Sequence, residues 1–190
     1  MTRFKSQYIV FSAPSGAGKT TIVKELLKKY PNELAISVSA TTRAKRKTET
    51  EGKDYFFLTE NDFKNAVLEN KFLEYEEVHG NFYGTLIRTV DDLVKKGKTV
   101  LFDIDVKGAR SVKNKYPGAI LIFIKPPGKD VLKERLRGRK SESEETIAHR
   151  LLRLDYEYEQ AQFFDFDIIN DSLNQAVQEI ENIIIEYKEE

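Results

Sequence analysis

Ala13-Pro14-Ser15-Gly16-Ala17-Gly18-Lys19-Thr20 is the most informative stretch of this 190-residue chain. It follows the apolar segment at residues 8–11 and precedes apolar residues at helical spacing, which are Ile22, Val23, Leu26 and Leu27. A strand, a glycine-rich turn and a helix in this order are typical of a phosphate-binding loop. An ordinary glycine turn beside a solvated lysine is the alternative, and the helical pattern that follows argues against it. We therefore predict that residues 13–20 bind nucleotide phosphate.

Each residue type in this loop has a physical reason. Gly16 and Gly18 allow backbone N–H groups to approach phosphate oxygens without a Cβ in the way. A helix that starts near Lys19 adds its free N–H groups and the positive end of its dipole. Lys19 can reach the β- and γ-phosphates, and the Thr20 hydroxyl suits a Mg²⁺ ligand. Ala13 stands where the usual pattern has its first glycine, and alanine fits there if φ is negative.

Short apolar segments alternate with helical patterns along the chain. Segments rich in β-branched and aromatic residues predict strands at residues 8–11, 99–102, 119–124 and 167–169. Helical spacing follows residue 19 and recurs around residues 131–136, 147–161 and 173–187, while Thr89 with Asp92 forms a capping signal for another helix that Gly97 would stop. We predict an α/β fold of the P-loop NTPase type, with a parallel sheet flanked by helices.

Two regions break this alternation. Residues 35–85 hold several short strand patterns, one short helix pattern and the polar run 43–54, which predicts a strand-rich insertion. The polar run 135–145 is too charged to be core, so we predict a small mobile lid at residues 135–150. The core would then comprise residues 1–34, 86–134 and 151–190 of one domain.

The composition narrows the class of protein. Lys plus Arg and Asp plus Glu number 31 each, so the net charge is zero and nothing global suggests a nucleic-acid or membrane-surface protein. The absence of cysteine excludes disulfides and thiolate metal sites and fits a reducing compartment. No apolar run approaches the roughly 20 residues of a membrane span, and the N-terminus lacks an apolar signal segment. We predict a soluble, cytoplasmic protein.

Basic residues in the predicted insertion are candidates for a second phosphate site. Arg43 and Arg46 lie three residues apart with Tyr55 nearby, and arginines hold phosphate through charge-assisted, bidentate hydrogen bonds. A solvated charged loop is the alternative, and these residues taken alone favour it.

Two acidic residues follow a predicted buried strand. Asp103 and Asp105 lie at its carboxyl end, where open α/β sheets bind ligands, and their alternation places both side chains on one side of an extended chain. One can act on Mg²⁺ or its waters, and the other can reach a ligand. A helix N-cap with a surface partner is the alternative, which the phosphate loop in the same sheet makes less favourable.

The predicted lid is rich in basic residues, which are Arg135, Arg137, Arg139, Lys140 and Arg150. Phosphoryl transfer needs mobile positive charge over the developing equatorial oxygens, with water excluded. A solvated helix face would show the same composition, so this feature by itself leaves both interpretations open.

Taken together, these motifs resemble guanylate kinases over essentially the whole chain. The segments that carry the resemblance are residues 13–20, 37–43, 52–57, 80–85, 101–108, 135–139 and 169–171. The resemblance implies transfer of a phosphoryl group from ATP to GMP (and dGMP) with Mg²⁺, and closure of a GMP-binding insertion and a lid over the core. ATP and GMP would be the partners, with no nucleic acid or membrane.

The resemblance also implies roles for particular residues. The GMP phosphate would be held by Ser39, Arg43, Arg46, Tyr55 and Tyr83, and the guanine by Glu74, Thr85 and Asp105. ATP would be bound by Ala13, Pro14, Ser15, Gly16, Ala17, Gly18, Lys19, Thr20 and Thr21, with Asn170 near the adenine. The catalytic residues would be Lys19, Arg135, Arg139 and Arg150, and the metal would lie at Thr20 and Asp103.

The chemistry of the base supports this reading independently. Guanine offers two donors, N1–H and the 2-amino group, and the carboxylates of Glu74 and Asp105 are acceptors only. Adenine presents a bare N1 acceptor instead. A site built to hydrogen-bond a ligand group rejects analogues that lack this group by about 10⁴-fold. Two alternatives are a related module that binds phosphorylated peptides without catalysis, and a kinase for another nucleotide or sugar phosphate. The intact loop argues against the first, and Glu74 with Asp105 argues less decisively against the second.

Overall fold

The structure is a computed structural model that describes residues 3–78, 80–137 and 144–186, without the side chains of residues 144–146, 148–150, 152, 153 and 186. The strands of these residues are β1 (Tyr8–Ser12), β2 (Leu34–Ile36), β3 (Ala40–Thr41), β4 (Phe56–Phe57), β5 (Phe72–Val78), β6 (Asn81–Leu86), β7 (Thr99–Asp103), β8 (Ile120–Lys125) and β9 (Phe166–Ile169). The helices are α1 (Lys19–Lys29), α2 (Glu60–Leu68), α3 (Ile87–Lys95), α4 (Val106–Lys115), α5 (Lys129–Arg137), α6 (Glu144–Gln160) and α7 (Leu173–Glu186).

A five-stranded sheet forms the centre of the molecule, in the order β2-β7-β1-β8-β9. All four strand pairings are parallel. Helices cover both faces: one apolar cluster joins the sheet to α1 and α7, and another joins it to α3 and α4. Coverage on both faces explains why β1, β7 and β8 are almost continuously apolar, and it confirms the predicted α/β class.

A second, four-stranded sheet in the order β4-β3-β6-β5 lies within the predicted insertion. It packs against α2 through Phe63, whose ring stacks 4.3 Å from that of Phe72 and 5.4 Å from that of Phe82. The strand-rich character expected of this region is therefore present. The predicted division of this single domain into a core and an insertion at residues 35–85 stays a prediction, and β2, which includes residues 35 and 36 of that insertion, pairs with the core sheet.

Several predicted boundaries differ from the structure. The capping prediction at Thr89 is wrong, because β6 continues directly into α3 at Ile87 and the Thr89 hydroxyl instead donates to the Leu86 carbonyl at 2.7 Å. Gly97 ends the same helix with a φ of 74°, as expected. The strand β6 and the helix α4 were not predicted: β6 shows no regular alternation, and the apolar face of α4 is short, with only Val106, Ala109 and Val112.

None of the helices in the described ranges is long and apolar enough to cross a membrane.

Candidate active site

The loop between β1 and α1 has the backbone that its glycines require. Gly16 and Gly18 have φ values of 94° and 98°, a region that side chains with a Cβ rarely adopt. Gly18 is the N-cap of α1, which begins at Lys19 as predicted. Among the described non-glycine residues only Asn70 has a positive φ, so Ala13 meets the condition under which alanine can replace the usual glycine.

Helix α5 and the residue Asn170 pack closely against this loop. A Cβ added at Gly16 would lie 2.9 Å from Leu132 and 3.0 Å from Leu136, both on α5. A Cβ added at Gly18 would collide with the side-chain amide of Asn170, which follows β9. The glycines therefore serve close packing as well as backbone conformation, and alanine at either position would be strained on both counts.

Lys19, the basic residue of the loop, points to the end of the neighbouring strand β7. Its ammonium group lies 2.7 Å from Asp103 Oδ1 and donates to the Ile104 carbonyl at 2.9 Å. The Thr20 hydroxyl donates to Asp103 Oδ2 at 3.2 Å. Because β1 and β7 are adjacent and parallel, the loop and this carboxylate meet at the same edge of the sheet.

The pair formed by Thr20 and Asp103 suits a magnesium ion. Both offer oxygen donors, and Mg²⁺ in kinases commonly takes one or two protein oxygens together with waters and substrate phosphates. No group of three or more His, Asp or Glu residues in the described part of the chain could hold a metal by itself. The residues therefore fit an ion that arrives with a phosphate ligand.

The two arginines of the insertion differ in their surroundings. The Arg43 guanidinium lies 5.3 Å from the centroid of the Tyr55 ring, and the Tyr55 and Tyr83 rings lie 6.0 Å apart. Ser39, Tyr55 and Tyr83 line one cavity of about 150 Å³. The structure thus brings four of the five predicted phosphate residues together, while the Arg46 side chain is exposed at their edge.

Glu49 is a further residue of this cluster, and no periodic sequence pattern pointed to it. Its carboxylate accepts two hydrogen bonds from Arg43, at 2.7 and 3.1 Å, and a third from the Arg46 backbone N–H at 2.8 Å. These contacts lower the pKa of Glu49, with the Arg43 hydrogen bond as the largest cause. The signal available in the sequence was an acidic residue that follows Arg46 by three positions and Arg43 by six.

Glu74 and Asp105 line the same cavity. A Cβ added at Gly108 would lie 3.2 Å from Glu74 Oε2 and 3.3 Å from Asp105 Oδ1, so both carboxylates border this glycine. Burial, and to a smaller extent the charge of Asp105, raises the pKa of Glu74. Thr85 is fully buried beside Glu74, and its hydrogen bonding to the Glu74 carboxylate partly offsets this rise in pKa.

Asp105 caps a helix, and its role toward a ligand stays a prediction. It is the N-cap of α4, and its Oδ1 accepts from the Gly108 N–H at 2.7 Å. It also lines the cavity together with Asp103. The cap holds one carboxylate oxygen in a fixed position, so the helix start orients the group toward the cavity.

Arg135 is the predicted catalytic arginine of the lid whose side chain the structure describes. It lies on α5 and donates to the Asn170 main-chain carbonyl at 2.9 Å. Arg139 and the rest of residues 138–143 lie outside the described residues, as does the side chain of Arg150. Their predicted catalytic roles stay predictions.

The parallel sheet, the glycine loop that opens α1 and the acidic end of β7 define a P-loop α/β protein. The chain belongs to the guanylate kinase family, whose model, described as "Guanylate kinase", matches residues 5–187. Guanylate kinase of Synechocystis is 45% identical over 183 residues, which cover 96% of this chain and 95% of that protein. The guanylate kinase of Thermotoga maritima is 44% identical over 180 residues, covering 95% and 86% of the two chains.

A solved structure gives the same result. The crystal structure of guanylate kinase from Anaplasma phagocytophilum superposes with a TM-score of 0.71 at 33% identity. The match covers 93% of this chain and 82% of that chain. The resemblance drawn from the motifs is confirmed.

Proposed function

We propose that this protein transfers the γ-phosphoryl group of ATP to GMP, and also to dGMP, and so produces ADP and GDP or dGDP. Family membership supports the reaction class. The observation that carries the choice of acceptor is the shared cavity, because Ser39, Tyr55 and Tyr83 line it together with the carboxylates of Glu74 and Asp105. The hydroxyl groups suit a phosphate, and the carboxylates suit the two donors of guanine.

The donor half of the proposal uses the loop. Its backbone N–H groups and the start of α1 bind the ATP phosphates, and Lys19 moves from Asp103 to the β- and γ-phosphates. The ATP contacts are those at residues 13–21. Thr20 and Asp103 hold Mg²⁺, which supplies neutralisation of phosphate charge. Arg135, Arg139 and Arg150 add positive charge around the transferred group.

The acceptor half uses the insertion. Ser39, Arg43, Arg46, Tyr55 and Tyr83 hold the GMP phosphate, while Glu74, Thr85 and Asp105 hold the base. The attacking atom is a phosphate oxygen that is already deprotonated, so no side chain need act as a strong base. Catalysis then consists mainly of positioning and charge neutralisation.

A coupled assay of ADP release tests the proposal. The protein is supplied with ATP and Mg²⁺ and with GMP, dGMP, AMP, CMP, UMP or IMP in turn. We expect rapid turnover with GMP and dGMP, a lower rate with IMP, which lacks the 2-amino group, and very little with the others. A preference for any monophosphate other than a guanine nucleotide would contradict the proposal.

We predict that GMP affinity falls on acidification, and that the fall occurs at a higher pH than it would if Glu74 had the pKa of an ordinary glutamate. The pKa of Glu74 is raised by burial, so its carboxylate is protonated, and lost as a pure acceptor, as the pH falls through that raised value. Binding should be full above it and weaken below it. Calorimetric titration with GMP from pH 4.5 to 8 measures the effect.

Glu74→Gln is the control for this pH dependence, since the GMP phosphate titrates in the same range. The loss of affinity at low pH that remains in the variant is caused by protonation of the GMP phosphate, and the part that disappears is caused by protonation of Glu74. Identical pH profiles for the parent and the variant would exclude Glu74 as the titrating group.

A second prediction concerns Glu49→Gln. The amide keeps the shape of the carboxylate but offers Arg43 one acceptor instead of two, so the guanidinium loses its fixed orientation. We expect KM for GMP to rise about fivefold, which corresponds to about 1 kcal/mol for one hydrogen bond, with kcat and KM for ATP nearly unchanged.

Glu51→Gln is a matched control in the same loop. The Glu51 side chain is exposed and accepts from the Phe57 N–H, whereas the carboxylate that accepts from Arg43 is that of Glu49. Steady-state kinetics with GMP as the varied substrate separates the two variants. If both behave alike, the Glu49–Arg43 pair has no part in GMP binding.

A further inference from the structure

Asn170 makes an unusual contact with the phosphate-binding loop. It follows β9, is only 6% exposed, and its side-chain Nδ2 donates to the Ala17 carbonyl at 2.7 Å. Ala17 is itself fully buried within the loop. A side chain 153 residues away in sequence therefore satisfies a carbonyl of the loop that has little access to water.

The direction of this hydrogen bond matters for the loop. A trans peptide is planar, so its carbonyl and its N–H point in opposite directions. The peptide that carries the Ala17 carbonyl also carries the Gly18 N–H. When Asn170 holds the carbonyl on one side, the N–H is directed to the other side, as an anion-binding loop requires.

Asn170 is also held firmly in place. Its own N–H donates to the Lys125 carbonyl at the end of β8, at 2.8 Å, and its carbonyl accepts from Arg135 at 2.9 Å. Gly18 leaves no space between its Cα and the amide, because a Cβ there would collide with Nδ2. The backbone of Asn170 is thus fixed by the sheet, and its side-chain amide fits closely against the loop.

We propose that Asn170 is a positioning residue that holds the Ala17–Gly18 peptide in its phosphate-binding orientation, and that its side chain thereby acts on the triphosphate and not on the adenine base. The inference rests on the proposed binding of ATP by the loop. This role differs from the one near adenine that the motif resemblance implies, because a side-chain amide that donates to the Ala17 carbonyl contacts the backbone of the loop and not the adenine base.

The test compares two probes, with and without a base. Binding of the β,γ-imido analogue of ATP and of inorganic tripolyphosphate, each with Mg²⁺ and saturating GMP, is measured by calorimetry for the parent and for Asn170→Ala. Saturating GMP keeps tripolyphosphate away from the arginines of the insertion. We expect both probes to lose affinity by the same factor, about tenfold, since a buried carbonyl loses its partner.

Two further measurements keep the result specific. Binding of GMP alone should be unchanged, whereas a general loss of structure would weaken it together with the probes. Asn174→Ala, the same replacement at an exposed position of α7, should leave both probes unaffected. If Asn170→Ala fails to fold, Asn170→Leu decides by the same comparison, because it keeps approximately the size of the side chain and removes the Nδ2 donor without adding a charge.

The outcomes separate the two ideas. Loss with the ATP analogue alone would show a contact with adenine and overturn the proposal, as would no loss with either probe or an equal loss of GMP binding. Absence of turnover in the parent would contradict the proposed function instead, and the binding comparison would still decide the role of Asn170.

Discussion

Lys19→Ala should reduce kcat by two to three orders of magnitude while GMP binding and the fold remain close to those of the parent. The ammonium group of Lys19 lies 2.7 Å from Asp103, which borders the cavity, but Lys19 itself does not line that cavity. Loss of one preorganised charge that stabilises the transferring phosphoryl group costs about 3–4 kcal/mol of transition-state stabilisation. Coupled ADP release under saturating ATP and GMP measures the effect.

The free structure suggests one complication and its control. Removal of Lys19 also leaves the Asp103 carboxylate without its ion pair, although the Thr20 hydroxyl still donates to it. Asp103→Asn removes that charge separately, and Lys28→Ala removes an exposed lysine from the same helix. Activity of Lys19→Ala within a few-fold of the parent, in pure protein, would refute the assignment of the loop.

Glu74→Gln should lower kcat/KM for GMP much more than kcat/KM for AMP. The replacement keeps the shape of the side chain but exchanges an acceptor-only group for one that also donates. In the proposed complex this donor would face the N1–H and 2-amino donors of guanine. We expect a loss of about 1.5–3 kcal/mol with GMP, the value of a hydrogen bond to a charged group. The GMP-to-AMP ratio of kcat/KM should narrow accordingly.

Asp105→Asn is the companion variant, and Glu77→Gln is the control. Asparagine is also a good N-cap, so Asp105→Asn can keep the hydrogen bond to Gly108 and leave α4 intact. Glu77 is an exposed residue of the same strand as Glu74. If Glu74→Gln and Asp105→Asn both retain the parental GMP-to-AMP ratio, guanine recognition lies elsewhere in the cavity.

Local features of the fold were predictable because they depend on neighbouring residues. The strand at residues 8–11, the loop glycines and the start of α1 at Lys19 follow from apolar spacing and from the backbone freedom of glycine. The capping prediction at Thr89 failed for a tertiary reason: β6 pairs with β5 up to Leu86, and the chain enters α3 without a turn. Pairing with a neighbouring strand overrode the local signal.

The candidate site divides in the same way. Glu49 was missed because an acid within a basic run has no periodicity, and its value appears only when the chain folds back to place it against Arg43. Asp105 showed two competing patterns in sequence, a helix cap and a ligand group. The structure assigns it the cap and a place in the cavity together, since the helix begins at the cavity wall.

The sequence by itself determined the α/β class, the phosphate-binding loop and the family, because each depends on residue types at short, fixed spacing. Only the tertiary structure decided which distant groups meet: Lys19 with Asp103, Glu74 with Asp105 beside Gly108, and Asn170 with the Ala17 carbonyl. Those contacts depend on the order in which parallel strands pair, β7 beside β1 and β9 beside β8. Strand order is set by burial over the whole sheet, which no short stretch of sequence encodes.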